Sequence, residues 1–371
     1  MDQKLQALLR HMALVPDPRR NNHRYFRHRL IDIIVIAVLA AIAGADSWVD
    51  IADYGKEKEA WLATFLSLEN GIPSHDTFAR VFALLNADAF ETAFVAWVAS
   101  QKRMRGEVVA LDGKSVRRSF VAEDKPLHIV SAYATERGIA LGQRTVDGKT
   151  NEITAVPELM AMLNLKGSIL TADALLTQKW IVKKAREYKA DYVFALKANQ
   201  GRLFRDARAL FDDAMESRDT ATETNTRAHG RSEMRVCEVM TTLGSLRDRS
   251  LWDDLHSVIR ITETRTVDSK TTTRSRYYLS SLTTSARECL RITRTHWRIE
   301  NSLHWVLDIA FREDESRARI GNSQKNFALL RKFALNIIRA DTTRKVGVAA
   351  MRKMAGWNNE CLERLIGLAK V

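Results

Sequence analysis

The stretch VVALDGKS, residues 108–115, marks the point where an all-helical chain becomes an α/β one. VVAL is a continuous apolar run, the pattern of a strand covered on both faces, and it ends on an acid, Asp112. Downstream, HIVSAYATERGIALGQRTV (128–146) reads as two strands joined by a turn at residues 136–138. NEITAVPELMAML (151–163) reads as a helix despite Pro157, and SILTAD (168–173) is a second apolar strand that ends on an acid, Asp173. TQKWIVKKAREY (177–188) predicts a helix with Trp180, Ile181 and Ala185 inward, and DYVFALK (191–197) a fifth strand ending at Lys197. The order is three strands, helix, strand, helix, strand. In an α/β sheet the C-terminal strand ends line the crevice where ligands bind. One aspartate there is accounted for by turn chemistry; two at matching depths ask for another reason.

A third acid lies far downstream, in THWRIENSLHWVLDIAFREDESRAR, residues 295–319. Ile299, Leu303, Val306 and Ala310 predict one apolar helical stripe, with Glu300 half sunk at its edge and His296 and His304 a turn to either side. A carboxylate in that position is costly unless it is paired or binds a cation. Asp112, Asp173 and Glu300 would converge if the fifth strand lay beside the first and this helix crossed the sheet. Three oxygen ligands without a nearby cysteine suit Mg²⁺ or Mn²⁺. Two such ions support in-line phosphoryl transfer on a phosphodiester, and mutual repulsion predicts a loosely ordered site before they enter. A competing reading gives zinc to His296, Glu300 and His304 at i, i+4, i+8, but leaves both aspartates unexplained.

The remaining sequence sets the frame. The 371 residues are 46% hydrophobic and carry a formal charge of +13, with a pI near 9.7. That balance suits a polyanionic partner such as nucleic acid. Cys237, Cys289 and Cys361 are too scattered for a disulfide framework or a zinc ribbon, which fits a reducing cytoplasm. The longest apolar run, 33–45, is shorter than the ~20 residues that span a bilayer, and predicts a buried core helix. Near the start, Arg19, Arg20, Arg24, Arg27 and Arg29 crowd around Tyr25 and Phe26 after two prolines, either a DNA-backbone arm or a solvated connector. GIPSHDTFARVFALL (71–85) predicts a helix capped by Ser74, compatible with a helix-turn-helix and equally with an ordinary helical hairpin. Residues 218–230 look polar and turn-like, and the segments after them read as antiparallel strands. The expected organisation is a helical, DNA-binding 1–105, the first part of an α/β core at 106–217, a β-rich insertion at 218–284, and C-terminal helices at 285–371.

The chain resembles the bacterial insertion-sequence DDE transposases of the ISAs type, which include the H-repeat-associated proteins. The resemblance is carried by ADSWVDIADYG (45–55), GIPSHDTFARVF (71–82), LDGKSVRRS (111–119), LGQRTVDGKTNEITAVPEL (141–159), TADALLTQ (171–178) and DYVFALKANQ (191–200). It continues through HGRSEMRV (229–236), YYLSSL (277–282), HWRIENSLHWVLDIAFREDESRAR (296–319) and NFALLRKFALNII (326–338). It implies a ribonuclease-H-like catalytic core with a β-strand insertion, and Asp112, Asp173 and Glu300 as the catalytic, metal-holding acids. It also implies Mg²⁺-dependent nicking at the element's terminal inverted repeats and strand transfer into target DNA. The implied protein is bacterial, cytoplasmic, nucleoid-associated and dimeric on DNA, with no membrane partner. The alternatives are a domesticated DNA-binding relative or a metal-dependent nuclease of the same fold. The wider group's Tyr, Arg, Glu, Lys signature is kept only at Glu300; Thr293, His296 and Leu307 stand at its other places. On chemistry alone, Lys114, Arg117, Lys197, Arg294, His296, Arg298 and His304 are the candidates to meet DNA.

Overall fold

A computed structural model describes residues 3–19, 26–100, 106–118, 126–146, 152–212, 217–227 and 231–368. The first helices are α1 (Gln3–Met12), α2 (Leu30–Ile42), α3 (Trp48–Glu57), the single turn α4 (Glu59–Leu62), α5 (His75–Leu84) and α6 (Ala87–Ala99). The apolar run folds as expected: α2 is buried along nearly its whole length. Side-chain caps fix several starts, because an oxygen at the N-cap takes up an otherwise orphan N–H. Ser47 accepts from the Asp50 N–H at 3.2 Å, Ser74 from Thr77 at 3.3 Å and Asn86 from Ala89 at 2.9 Å. Helix α5 buries Phe78, Val81 and Phe82 and shows His75, Asp76 and Arg80 outward, not a row of cations. Of the N-terminal arginine cluster, Arg20 and Arg24, with Tyr25, lie outside the described residues, while Arg19 pairs with Asp17 and stacks on Phe26.

The sheet is built from β1 (Val108–Ser115), β2 (His128–Ala134), β3 (Ile139–Val146), β4 (Ile169–Ala172) and β5 (Asp191–Leu196), with α7 (Glu152–Met162) and α8 (Lys179–Glu187) between them. After α9 (Gly201–Ala209) come β6 (Asp219–Arg227), β7 (Arg231–Met240), β8 (Ser257–Val267) and β9 (Lys270–Ser280). One mixed sheet holds all of these in the order β3-β2-β1-β4-β5-β9-β8-β7-β6. β1, β4 and β5 are mutually parallel neighbours; the other pairings are antiparallel. The strand beside β1 is therefore β4, which carries Asp173, and not the fifth strand.

Three further expectations change. Residues 219–227 form a strand and not a loop: the run TATETNT alternates threonine with Ala221, Glu223 and Asn225 and pairs along its length with β7. β-Branched threonine suits a strand even at exposed positions. Trp180 is exposed, and α8 buries Ile181, Val182 and Ala185 instead. The stretch from 295 to 319 is not one α-helix. It runs as α10 (Ala286–His296), a π-helical turn (Ile299–His304), α11 (Trp305–Ala310) and a 3₁₀ turn (Glu313–Glu315).

Successive strand residues face opposite sides, so the sheet has two cores. Helix α10 lies on one face over Val108, Ile169, Val193, Val239, Ile259 and Ile261. On the other face the N-terminal helices share a core with α12 (Ser323–Ala340), α13 (Val348–Trp357) and α14 (Asn359–Ile366). The outer edge of β3, an open edge with free hydrogen-bonding groups, is closed by side chains. Asn336 of α12 accepts from Ala140 N–H at 2.9 Å and donates to its carbonyl at 2.8 Å, and Glu91 accepts from Gln143 N–H at 2.9 Å. No single helix is long and apolar enough to cross a membrane, and all three cysteines are free and buried.

Phe333 sits fully buried where α12 meets α6, with ring centroids 5.5 Å from Phe90, 4.7 Å from Phe94 and 5.1 Å from Trp97. Phe333→Ala is expected to lower stability by about 3–5 kcal/mol, read as a lower urea midpoint; an unchanged midpoint would show that the two helices do not share a core.

Candidate active site

Asp112 and Asp173 are brought together by strand parity. Val108 and Ile169 pair across β1 and β4 and both point toward α10; residues at even steps beyond them, Asp112 on one chain and Thr171 then Asp173 on the other, point the same way. The β1–β4 pairing ends at Leu111 and Ala172, one residue short of both acids. On its other side β1 continues past Asp112 to Ser115, paired with β2. Asp112 is thus a strand end for β4 and mid-strand for β2.

The helix that crosses this face presents its residues in rows four apart. The row His296, Glu300, His304, Asp308 runs along the two strands: His296 Nδ1 is 3.0 Å from Thr171 Oγ1, His304 Nδ1 is 3.6 Å from Asp112 Oδ2, and Asp308 bonds Lys114. Ile299, Leu303, Leu307 and Phe311 are buried, also in steps of four. Four residues of α-helix overshoot a full turn by about 40°. The π turn, which holds more residues per turn, takes that drift back, so each row stays straight. Its wide hydrogen bond runs from Trp305 N–H to Glu300 O. Glu300 itself is exposed and not half sunk, because it lies one residue past the buried row and not at its edge.

Burial first, then the charges of Glu300, Asp173 and Glu152, push the Asp112 carboxyl up to about 7. Burial also raises Asp173, opposed by the Leu176 and Leu175 N–H groups and by the charge of Lys197. Glu152, the first residue of α7, is a neighbour that the sequence reading passed over as an ordinary helix residue. Its carboxylate lies against Gly113, where a Cβ would come within 2.5 Å of it. His128 Nε2 holds Glu152 at 2.5 Å, and Ser115 Oγ holds His128 Nδ1 at 2.9 Å. The visible signal was the glycine after Asp112.

The expected DNA contacts divide. Lys114 is turned inward, its side chain only 13% exposed, bonded to Asp308 and, at 2.9 Å, to Glu313; it is a structural tie and not a surface cation. Burial lowers His296 to about 4, and burial with the charges of Lys114 and Lys332 lowers His304 to about 3. Both rings are neutral at neutral pH and cannot meet phosphate as cations. They touch different strands, and among the described residues no three acids, histidines or cysteines stand as a group that could hold a metal ion, so neither the zinc grouping nor Asp112, Asp173 and Glu300 is assembled as one. Arg117, Lys197, Arg294 and Arg298 are at the surface. Leu307, at a signature position of the wider group, is in the core.

Comparison with known proteins gives concordant sequence matches. The family described as "Transposase DDE domain" matches residues 103–337, and the one described as "DDE_Tnp_1-associated" matches residues 9–98. "Putative transposase YncI" of Escherichia coli O157:H7 is 37% identical, over 98% of this chain and 95% of its own. "H repeat-associated putative transposase YhhI" of E. coli K12 is 34% identical, over 98% of this chain and 99% of its own. Among solved structures, a piggyBac transposase synaptic complex with hairpin DNA aligns over 99% of this chain and 79% of its own, at 10% identity and a TM-score of 0.45.

Two predictions follow from the carboxylates. Because the folded Asp112 holds its proton to higher pH than the unfolded one, the native state binds more protons between about pH 4 and 7, and stability falls as pH rises through that window. In EDTA, Asp112→Asn should therefore be more stable than wild type above pH 7, by roughly 2 kcal/mol, with the difference vanishing below pH 4. Equal melting temperatures at high pH would contradict the strained carboxyl. Gly113→Ala should destabilise by about 1–3 kcal/mol, and Glu152→Ala in the same chain should recover part of that loss. Simple additivity of the two would show that they do not clash.

Proposed function

The chain belongs to the transposase DDE domain family, and we propose that it is a DNA transposase that cleaves phosphodiester bonds at the ends of an insertion sequence and joins them to target DNA. The observation that carries this reading is the placement of Asp112 and Asp173 at the same level of adjacent parallel strands, on the face crossed by the helix bearing Glu300. The strand order β3-β2-β1-β4-β5, with β1 antiparallel to β2 and parallel to β4, supports a ribonuclease-H-like core, and β6–β9 are then an insertion that prolongs its sheet. The domain division at residues 105, 217 and 284 belongs to the same proposal.

Asp112, Asp173 and Glu300 are the residues that would hold the divalent cations. The donor set fits: oxygens only, with Asp112 raised by burial first and then by neighbouring negative charge, which a cation would relieve. Bound Mg²⁺ or Mn²⁺ would supply activation of a water or 3′-hydroxyl and stabilisation of the leaving oxygen. The protein's own residues do the positioning. His304 stands beside Asp112 as a neutral ring, His296 fixes the start of the Glu300 turn to β4, and Lys197 places a positive charge beside Asp173. Double-stranded DNA is the proposed partner, with two copies of the chain pairing two ends in the bacterial cytoplasm.

The test is cleavage of a DNA fragment bearing the element's terminal inverted repeats, with Mg²⁺, by wild type and by Asp112→Asn, Asp173→Asn and Glu300→Gln. Each variant should lose at least about a hundredfold in rate while still binding the fragment. Variants that cut as fast as wild type would refute the assignment, and cutting without joined products would make the protein a nuclease.

A further inference from the structure

One face of α10 carries arginines at 287, 291 and 294, continued by Arg298 just before the π turn, and β6 of the inserted strands runs beside that face. Between them is a groove of about 1020 Å³ whose lining includes Asn301, the residue after Glu300. Asp219 of β6 links the strand to α10 by accepting the Ala286 N–H at 2.6 Å. We infer that this groove is the track for one sugar-phosphate strand leading to the candidate active site, and that Glu223 of β6 occupies a phosphate position in it when DNA is absent. The inference rests on the reading of the protein as a DNA transposase and adds the location and the gate.

Spacing is the first argument. Arg287 to Arg298 spans eleven residues, or about 16 Å of helix, long enough to face several successive phosphates of one strand. Second, the cations are unequally matched. Arg294 is bonded to Glu223, and Arg291 to Glu288 and Glu136. Arg287 and Arg298, at the two ends, have no carboxylate partner among the described residues; Arg298 donates to the Thr135 carbonyl at 3.1 Å. Third, Trp297 is 43% exposed in the groove wall, with the Arg276 guanidinium 5.4 Å from its ring. An exposed aromatic beside cations is the combination on which unpaired bases stack while the backbone is held. Glu223 sits on an edge strand, on the half-buried face that looks toward α10, and its side chain is 39% exposed, so parting it from Arg294 breaks a surface ion pair and unpacks no core.

The experiment measures binding of a short fluorescein-labelled duplex by anisotropy across a salt series. Arg287→Ala with Arg294→Ala should weaken binding about tenfold or more and reduce the log–log salt slope by about 2. A control pair of exposed cations outside the groove, Lys345→Ala with Lys353→Ala, should change both far less. Glu223→Gln should tighten binding more than Glu360→Gln, which removes an equal charge on α14. Arg287→Ala alone, which breaks no ion pair, should still weaken binding more than Lys353→Ala; this separates contact from fold. Groove variants that bind like the controls, in a wild type that binds DNA, overturn the inference and leave the transposase reading standing. A wild type that binds no DNA overturns both.

Discussion

The ammonium of Lys114 is the tie on which the candidate site depends. It projects from β1 two residues beyond Asp112 and is enclosed by Asp308, Glu313 and Asp314, all beyond the Glu300 turn. Burial alone would raise Glu313, but the charges of Lys114, Lys332 and Arg331 hold it down at about 2. Burial lowers Lys332 to about 8, and its ammonium donates to Gln143 of β3 at 2.6 Å. One chain of charges and hydrogen bonds therefore joins β1, β3, α12 and the 3₁₀ turn after α11. A buried pair adds little net stability over a well-packed apolar one, yet breaking one side costs about 3–5 kcal/mol. Such a network works as a register lock: a slip of α11 along the sheet would strand Glu313 without a partner.

The lock acts on a segment that is otherwise held by its carbonyls. Arg339 of α12 donates to the Ser302 carbonyl inside the π turn, and Arg352 of α13 to the Ala310 carbonyl at the end of α11. Arg352 also reaches Ala41, Ala45 and Asp46 at 3.0, 3.1 and 2.8 Å, which ties the same segment to the N-terminal helices. A cation suits the Ala310 and Ala41 carbonyls because the last carbonyls of a helix lack intrahelical donors. The backbone around Glu300 is gripped from two directions while the Glu300 side chain is left in the open. That combination suits a ligand whose position must be defined but whose bonds form only when something binds.

Much of this was legible in the sequence, for identifiable reasons. The parallel strands are long apolar runs, and their acidic ends stand out against them; Asp112 and Asp173 could be read because a strand has only two faces. The Glu300 helix was legible as a segment and not as a shape. Its apolar positions fit two templates, the 299, 303, 306, 310 stripe of an α-helix and the 299, 303, 307, 311 row of a π-widened one. Only the packing of Leu307 and Phe311 chose between them. Lys114 looked like a surface cation because its three partners lie about 200 residues away. β6 looked like a loop because its half-buried face, toward α10, is made of Ala221, Glu223 and Asn225 and shows no hydrophobic alternation. Trp180 followed hydrophobicity where the helix followed geometry.

The charge layout around the three acids also bears on why a protein with a net charge of +13 concentrates negative charge at one place. The cation nearest in sequence to Asp112, Lys114, is committed to Asp308 and Glu313, and the adjacent histidines are neutral. Lys197 offsets Asp173 in part, and Glu152 adds to the deficit. A phosphodiester approaching Asp112 alone would meet repulsion at short range, however strongly the basic surface attracts it from afar. On the proposed function, cations at the acids convert that repulsion into attraction, so each ligand improves the site for the other. Linkage makes the effect reciprocal: whatever factor the metal adds to DNA affinity at the acids, DNA adds to metal affinity. On that proposal, a site assembled this way would be chemically idle until both are present.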